Sequence, residues 1–208
     1  MPDLTHEDAL RAAGARRIAG VDEVGRGPLA GPVTVAAVIL DRASVPEGID
    51  DSKALTPRRR AALAAALHAS AEVAIVHISV ADIDRLNILQ ATMEGMRRAL
   101  GALSAPPCHA LIDGSRLPEA LPCPATGLVK GDARSVSIAA ASIVAKVARD
   151  ALMVELAQQH PGYGWDHNAG YATEMHRSAL RNLGPTPHHR RSFAPVRNML
   201  WQENSSNS

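Results

Sequence analysis

One stretch of the chain, residues 18–33, restricts the fold more than any other. It has the sequence IAGVDEVGRGPLAGPV, in which an apolar run ends in the adjacent carboxylates Asp22 and Glu23. A loop containing three glycines and two prolines follows, and a second apolar run covers residues 33–40. Short apolar runs bounded by Gly and Pro are typical of buried strands. We therefore expect two neighbouring strands that are connected by a functional loop.

The adjacent carboxylates Asp22 and Glu23 are costly at the end of a buried strand unless a positive group lies beside them. A divalent cation is the favoured candidate, because hard cations bind carboxylate oxygens. Successive residues of a strand point to opposite faces of the sheet. We therefore expect the strand to break near Glu23, or Glu23 to contribute its backbone carbonyl. The alternative is an ordinary strand and turn with a solvated acidic pair.

The loop after these carboxylates begins with Gly25, Arg26 and Gly27. Glycine tolerates unusual dihedral angles and lets another molecule approach the backbone closely. A guanidinium flanked by bare backbone N–H groups suits a phosphate or the edge of a sugar. The loop is therefore a candidate for contact with a nucleotide.

Two further segments carry acidic residues that could join Asp22 and Glu23. Asp113 ends an apolar run, and Asp132 follows a short predicted strand. Strands of one sheet can bring such ends together, but four carboxylates in one place require cations. Two Mg²⁺ ions held in this way are typical of phosphoryl transfer, where one activates water and the other stabilises the leaving oxygen. An ordinary loop role is the alternative for both aspartates, and the Asp-Gly pair at 113–114 is a common turn sequence.

The order of predicted elements favours an α/β domain with a mixed sheet. The chain has 208 residues and is 46% hydrophobic, but only 2% aromatic, so Ala, Val, Leu and Ile must form the core. Strands alternate with helices as far as residue 160, and two short helices are predicted beyond it. We predict a main domain over 1–160, a C-terminal helical extension over 161–203 and a disordered tail over 204–208.

The charge pattern predicts a positive patch although the formal net charge is only +1. Between Met175 and Gln202 the chain has no acidic residue but carries five arginines: Arg177, Arg181, Arg190, Arg191 and Arg197. The two cysteines lack metal-type spacing, which favours a reduced, cytoplasmic setting. The sequence also has no signal-peptide pattern at its start and no apolar stretch of membrane-spanning length, so we expect no membrane partner.

Taken in order, the motifs of residues 18–200 resemble those of the bacterial ribonuclease HII family, the type 2 ribonucleases H. The motifs are GVDEVGRGPLAGPV at 20–33, DSK at 51–53, LNILQATM at 86–93, IDG at 112–114, KGD at 130–132, SIAAASIVAKV at 137–147, GYAT at 170–173 and HRRSF at 189–193. The first of these is by itself highly specific. The resemblance implies a ribonuclease H-like fold, in which a central mixed β-sheet flanked by helices forms the catalytic domain and the extension binds substrate.

The resemblance also implies a function. The protein would be an endoribonuclease that cleaves RNA in RNA/DNA hybrids and at ribonucleotides embedded in duplex DNA. The cut would fall on the 5′ side of the ribonucleotide at the RNA–DNA junction, leaving 3′-hydroxyl and 5′-phosphate ends. Two divalent ions, Mg²⁺ or Mn²⁺, would be held by Asp22, Glu23, Asp113 and Asp132. The implied cellular roles are ribonucleotide excision repair and removal of primer RNA, and the implied assembly is a monomer.

Matching residue by residue implies a set of substrate contacts. Gly25, Arg26 and Gly27 correspond to the loop that recognises the junction, where bare backbone can reach the 2′-hydroxyl that distinguishes RNA from DNA. Tyr171 corresponds to a tyrosine that stacks on the sugar beyond the ribonucleotide, and anchoring of the C-terminal helices is its alternative role. Ala169 stands where the family often has Lys, which removes one phosphate contact. The implied phosphate contacts are Ser52, Lys53, Arg190, Arg191 and Ser192. Lys146 is a further candidate partner for a polyanionic substrate because of its positive charge.

Three other functions remain open at this point. The first is a general nuclease for RNA/DNA hybrids with little preference for a junction. The second is a non-catalytic hybrid-binding protein, which would be expected to lack at least one carboxylate, although none is missing here. The third is a phosphatase or nucleotide hydrolase that uses the same metals. The basic patch and Tyr171 favour a polymeric substrate over this last class.

Overall fold

The structure, a computed structural model, describes the backbone of residues 1–206 and the side chains of residues 1–200. The described residues contain eight α-helices and five β-strands. In chain order the elements are α1 (Thr5–Ala12), β1 (Ile18–Val24), β2 (Val33–Leu40), α2 (Pro57–Ser70), β3 (Ala71–Ile78), α3 (Val80–Leu86), α4 (Ile88–Gly101), β4 (His109–Asp113), β5 (Ala125–Leu128), α5 (Val136–Gln159), α6 (Trp165–Asn168), α7 (Glu174–Leu183) and α8 (Ala194–Ser206). Within the described residues, no helix combines the length and the apolar character that crossing a membrane requires.

The strands form one mixed sheet in the order β3-β2-β1-β4-β5. β1 pairs antiparallel with β2 and parallel with β4, and β4 pairs parallel with β5. This arrangement confirms the predicted α/β class with a mixed sheet and flanking helices. In the register of β1 and β4, Val21 lies opposite Ile112. Because parallel strands end at the same edge of a sheet, Asp22 and Asp113 leave it side by side.

Small apolar side chains form the core on both faces of β2. Alternate residues from Ala36 to Leu40 pack with residues of α2 and α5, whereas the intervening residues from Val35 to Ile39 pack with residues of α4. Successive strand residues point to opposite faces, so a strand covered on both faces has an unbroken apolar sequence. That is the reason why residues 33–40 contain no charged residue.

The chain separates into two compact units. The first contains Met1–Val24, Thr34–His77 and Thr92–Ala148, and with them nearly all of the sheet. The second is formed by Gly25–Val33, Ile78–Ala91 and the C-terminal segment from Arg149 onward. The division of roles between a catalytic domain and a substrate-binding extension beginning at 161 stays a prediction.

The predicted disordered tail, 204–208, begins inside an observed helix, because α8 continues to Ser206. The last two residues of that tail, 207 and 208, lie outside the described residues. Of the two helices that were predicted after residue 160, α7 begins at Glu174, and the side chain of Thr173 accepts a hydrogen bond from the N–H of His176 as its N-cap. This cap is the signal that a Thr before a helix provides.

Candidate active site

Three carboxylates converge where β1 and β4 end. Asp22, Glu23 and Asp113 each place one carboxylate oxygen so that the three atoms lie within 4.8 Å of one another. The predicted break of the strand near Glu23 is wrong, because β1 continues to Val24 and Glu23 is paired with Val35. The side chain of glutamate is one methylene longer than that of aspartate, so at a strand end its carboxylate can reach its neighbours from the opposite face.

Asp22 is the buried member of this acidic group, with only 5% of its surface exposed. Burial raises the pKa of its carboxyl well above the usual range, and the charges of Glu23 and Asp113 raise that pKa further. Hydrogen bonds from Ser142 and from the N–H of Glu23, which donates to Asp22 Oδ1 at 2.7 Å, lower it. A buried carboxylate that is repelled by two others is stabilised by a cation.

Asp132 lies beside the acidic group in a short 3₁₀ turn, Gly131–Ala133. It is not one of the three residues whose oxygens lie within 4.8 Å. Burial raises the pKa of Asp113, and the charge of Asp132 adds to this, whereas the N–H of Gly131, which donates to Asp113 Oδ1 at 2.6 Å, opposes it. The structure therefore brings three of the four predicted metal carboxylates together, and the ligand role of Asp132 stays a prediction.

Lys53 faces the same acidic group from the loop before α2. Its Nζ lies 3.7 Å from Asp132 Oδ2, while 80% of its side chain is exposed. Burial lowers the pKa of Lys53, but attraction to Asp132, Asp51, Asp22 and Asp113 outweighs this effect, so the pKa is raised. An exposed ammonium group held next to carboxylates is available to a phosphate, which agrees with the predicted role of Lys53. Lys146 of α5, the further candidate partner for a polyanionic substrate, is half-buried.

Ser52 lies deeper than a phosphate contact would require. It is only 4% exposed, its Oγ lies 2.9 Å from Oγ of Ser142, and its carbonyl accepts a hydrogen bond from Arg60. Because the hydroxyl of Ser142 bonds to Asp22, the hydroxyl of Ser52 must donate to Ser142. The two serines thus form a buried chain behind the carboxylate. Ser142 was not predicted as a site residue; the available signal was a hydroxyl directly after the alanines of a buried helix.

The glycine loop and Tyr171 belong to the second unit. Gly25 has φ +91°, and a Cβ at this position would overlap the side chain of Arg149. Gly27 has an ordinary φ, and a Cβ there would lie 3.5 Å from Cε1 of Tyr171. Arg26 and Gly27 are exposed, as is 46% of Tyr171. Gly25 is therefore required by the fold, whereas the backbone of Gly27 and the ring of Tyr171 together form an accessible surface.

The three predicted phosphate contacts at 190–192 are placed differently from one another. Arg190 is fully buried, and its guanidinium donates only to backbone carbonyls of residues 25–32. This placement does not fit a direct phosphate contact, because the charge is not presented to solvent. Arg191 and Ser192 are exposed, and their backbone N–H groups donate to the carboxylate of Asp84 at 3.0 and 2.9 Å.

A buried pair of histidines, His176 and His189, holds the backbone of Tyr171. The N–H of Thr186 donates to His189 Nδ1 at 2.9 Å, so the proton of that ring lies on Nε2, which is 3.0 Å from His176 Nε2. His176 Nδ1 donates to the carbonyl of Tyr171 at 2.9 Å, and the indole N–H of Trp165 donates to His176 Nε2 at 3.0 Å. This network requires both rings to be neutral, each in one tautomer.

Acidification is expected to destabilise the folded chain through His189. Burial, together with the charges that the neighbouring His176, His188 and His160 can carry, lowers the pKa of His189 from 6.5 to about 3. Between these two pH values the unfolded chain binds a proton that the folded chain does not. Stability is therefore fully present above the unfolded pKa and is lost as the pH falls towards the folded one, by at most about 1.4 kcal/mol per pH unit for this group.

Urea unfolding between about pH 7.5 and about pH 5 measures this slope. His189→Gln should flatten it, whereas His167→Gln should not, because the side chain of His167 is 84% exposed. Equal slopes for the wild-type protein and His189→Gln would contradict the assignment of the neutral tautomer.

The chain is similar in sequence to proteins of one known family. Residues 19–196 match the family model described as Ribonuclease HII. A protein named Ribonuclease HII from Ruegeria sp. (strain TM1040) is 61% identical over 202 residues, which cover 97% of this chain and 88% of that protein. A second Ribonuclease HII, from Paracoccus denitrificans (strain Pd 1222), is 58% identical over 205 residues, covering 99% of this chain and 98% of that one.

A similar fold occurs in solved structures. Ribonuclease H2 from Pyrococcus horikoshii OT3 has a TM-score of 0.78 and 24% identity, covering 91% of this chain and 99% of that one. At this identity the likeness shows the fold alone, whereas the family model and the relatives cover the acidic group and the glycine loop alike. The chain accordingly belongs to the ribonuclease HII family, and it is a ribonuclease H, a nuclease that hydrolyses phosphodiester bonds within RNA.

Proposed function

We propose that this nuclease cuts on the 5′ side of a ribonucleotide at an RNA–DNA junction and leaves 3′-hydroxyl and 5′-phosphate ends. Its proposed substrates are RNA/DNA hybrids and duplex DNA with embedded ribonucleotides. The proposed cellular tasks are ribonucleotide excision repair and removal of primer RNA, performed as a monomer. The observation that carries the chemistry is the group of three carboxylate oxygens within 4.8 Å, formed by Asp22, Glu23 and Asp113.

The acidic group fits divalent cations. Its donors are all oxygens. Burial raises the pKa values of both Asp22 and Asp113, and so does repulsion by other carboxylates: Glu23 and Asp113 act on Asp22, and Asp132 acts on Asp113. Such a set suits Mg²⁺ or Mn²⁺. Bst-RNase HIII has a similar fold, with a TM-score of 0.70 and 21% identity, covering 95% of this chain and 73% of that one. Its solved structure is a complex with Mn²⁺. We propose two ions per site, with Asp132 as the fourth ligand. When bound, they would lower the pKa of the attacking water and stabilise charge on the leaving oxygen.

The residues around the acidic group hold its carboxylates in place. The hydroxyl of Ser142 and the N–H of Glu23 both bond to Asp22, and the N–H of Gly131 bonds to Asp113. Hydrogen bonds of this kind orient metal ligands before a metal arrives. The ammonium group of Lys53 would neutralise a phosphate oxygen of the substrate strand, because it is exposed beside the carboxylates.

The second unit is the proposed place of ribonucleotide recognition. The exposed backbone of Gly27 would form a hydrogen bond with the 2′-hydroxyl, as a donor through its N–H or as an acceptor through its carbonyl. The 2′-hydroxyl is the group that distinguishes RNA from DNA. The ring of Tyr171 lies beside Gly27 and is half-exposed, so it can stack on a sugar. Arg191 presents an exposed guanidinium to the backbone phosphates, a type of contact that weakens with added salt.

Mapping of the cut sites tests the proposal directly. The substrates are a duplex with one embedded ribonucleotide and a duplex with a run of ribonucleotides, each incubated with Mg²⁺ and with Mn²⁺. We expect a single cut on the 5′ side of the lone ribonucleotide. Cuts throughout the ribonucleotide run combined with no cut at the lone ribonucleotide would instead establish a general hybrid nuclease.

Tyr171→Ala and Gly27→Ala are each expected to slow cleavage at a lone ribonucleotide by about a hundredfold, because mispositioning by about an ångström has an effect of this size. Stability should stay at the wild-type level, since Tyr171 is exposed and a methyl group at Gly27 meets only ordinary van der Waals contact. Single-turnover rates on both duplexes measure the effect, with Met175→Ala as the control for loss of an exposed side chain. Equal slowing of both duplexes with unchanged cut sites would refute recognition of the junction by this surface.

A further inference from the structure

Two arginines of the second unit, Arg149 and Arg190, are fully buried, each with 0% exposure. The guanidinium hydrogen bonds of both go to backbone carbonyls rather than to carboxylates. Arg149 donates to the carbonyls of Pro32 at 2.9 Å, Ala169 at 3.0 Å and Ala30 at 3.2 Å. Arg190 donates to the carbonyls of Gly31 at 2.9 Å, Arg26 at 2.8 Å, Gly25 at 2.5 Å and Pro32 at 3.1 Å.

Keeping two cations buried beside each other is unfavourable. Burial lowers the pKa of Arg190 to about 9, and the charge of Arg149 contributes to this, while burial also lowers the pKa of Arg149. The carbonyls of residues 25–32 compensate by satisfying the N–H donors that burial removes from water. Arg190 also packs its guanidinium over the ring of Phe193, 5.1 Å from the ring centroid. The two arginines are thus committed to the glycine loop.

These hydrogen bonds determine the direction of the loop's N–H groups. In a trans peptide the carbonyl of one residue and the N–H of the next point in opposite directions. Because the carbonyls of Gly25 and Arg26 are bound to Arg190, the N–H groups of Arg26 and Gly27 point away from it. Two successive N–H groups directed to one side form a concave donor surface that suits a hydroxyl or an anionic oxygen.

We infer that Arg190, supported by Arg149, is a positioning residue that sets the N–H groups of the glycine loop for recognition of the ribonucleotide. The inference rests on the proposed recognition of the junction. Arg149 adds a link to the other recognition element, because it also holds the carbonyl of Ala169, two residues before Tyr171. Gly25, with a φ of +91°, contributes to the same arrangement, since a side chain there would displace Arg149.

Arg190→Lys tests the inference, because lysine keeps the positive charge but cannot bond to diverging carbonyls as the guanidinium fork does. The readout is the ratio of single-turnover rates on the lone-ribonucleotide and ribonucleotide-run duplexes. We expect this ratio to fall by about tenfold or more, within the range that mispositioning by an ångström produces. Arg42→Lys, an exposed arginine of the first unit, is the charge-matched control.

An unchanged ratio in Arg190→Lys, whether the two rates stay at the wild-type values or fall equally, would overturn the inference. A wild-type protein that shows no preference for the lone ribonucleotide would instead refute the proposed function, so the two failures are distinguishable. If Arg190→Lys does not fold, Phe193→Leu is the milder variant, because it removes only the ring over which the guanidinium packs. It should lower the ratio, and a wild-type ratio would equally overturn the inference.

Discussion

Asp22→Asn is expected to reduce turnover by more than about a hundredfold, which is the scale of losing one group that stabilises a transition state. The metal-free variant is expected to be no less stable than the metal-free wild-type protein. Burial and the charges of Glu23 and Asp113 raise the pKa of Asp22 well above its ordinary value. Because the pKa of Asp22 is higher in the folded chain than in the unfolded chain, its contribution to the free energy of unfolding is fully present below the pKa of the unfolded chain. That contribution is lost as the pH rises through the pKa of the folded chain. Asparagine cannot ionise, so it removes this loss together with a metal ligand.

Thermal unfolding in the presence of a chelator measures the first effect, and we expect Asp22→Asn to unfold at the wild-type temperature or above it. The rise in unfolding temperature on adding Mn²⁺ should be smaller for the variant than for the wild-type protein. Asp41→Asn is the matched control, because Asp41 is an exposed carboxylate whose bond to the N–H of Ala43 an asparagine can also make. Turnover above about one hundredth of the wild-type value would contradict the assignment of Asp22 as a metal ligand.

Gly20→Ala is expected to destabilise the protein by about 3 kcal/mol, the upper part of the usual range for overpacking. A Cβ at Gly20 would overlap the backbone carbonyl of Ser137 and lie 2.5 Å from the nitrogen of Ile138. These atoms belong to the first turn of α5, and backbone cannot rotate away as a long side chain can. Because Asp22 lies two residues further along β1 and Ser142 lies on α5, the same displacement should also lower activity.

Urea unfolding of Gly20→Ala measures this loss against Gly101→Ala. Gly101 ends α4, and a Cβ there would meet nothing within 4 Å. We expect the control to lie within about 0.5 kcal/mol of the wild-type protein, as is usual for exposed substitutions. A free energy of unfolding for Gly20→Ala that is as close to wild type as this would show that α5 does not pack on β1 as described.

Much of the acidic site was predictable from local patterns. The apolar runs before Asp22 and Asp113 predicted strands that end in carboxylates, and two such strands in one sheet bring those carboxylates to one edge. The structure confirms the strands, and the three-oxygen group contains both residues together with Glu23. The strand alternation, however, predicted a break near Glu23 that does not occur, because alternation describes where Cβ points and not where a longer side chain ends.

The sequence by itself determined the α/β class, the strands that carry the acidic residues and the glycine at the turn, because strand periodicity and backbone freedom depend on neighbouring residues. Only the tertiary structure decided that Ser142 bonds to Asp22 and that Ser52 stands behind it, across a separation of 90 residues. It likewise decided that Arg190 is buried against the carbonyl of Gly25, 165 residues earlier in the chain, and not exposed to a phosphate. An arginine in a basic segment has the same local pattern whether its guanidinium faces water or a buried loop, and packing between distant segments alone distinguishes the two.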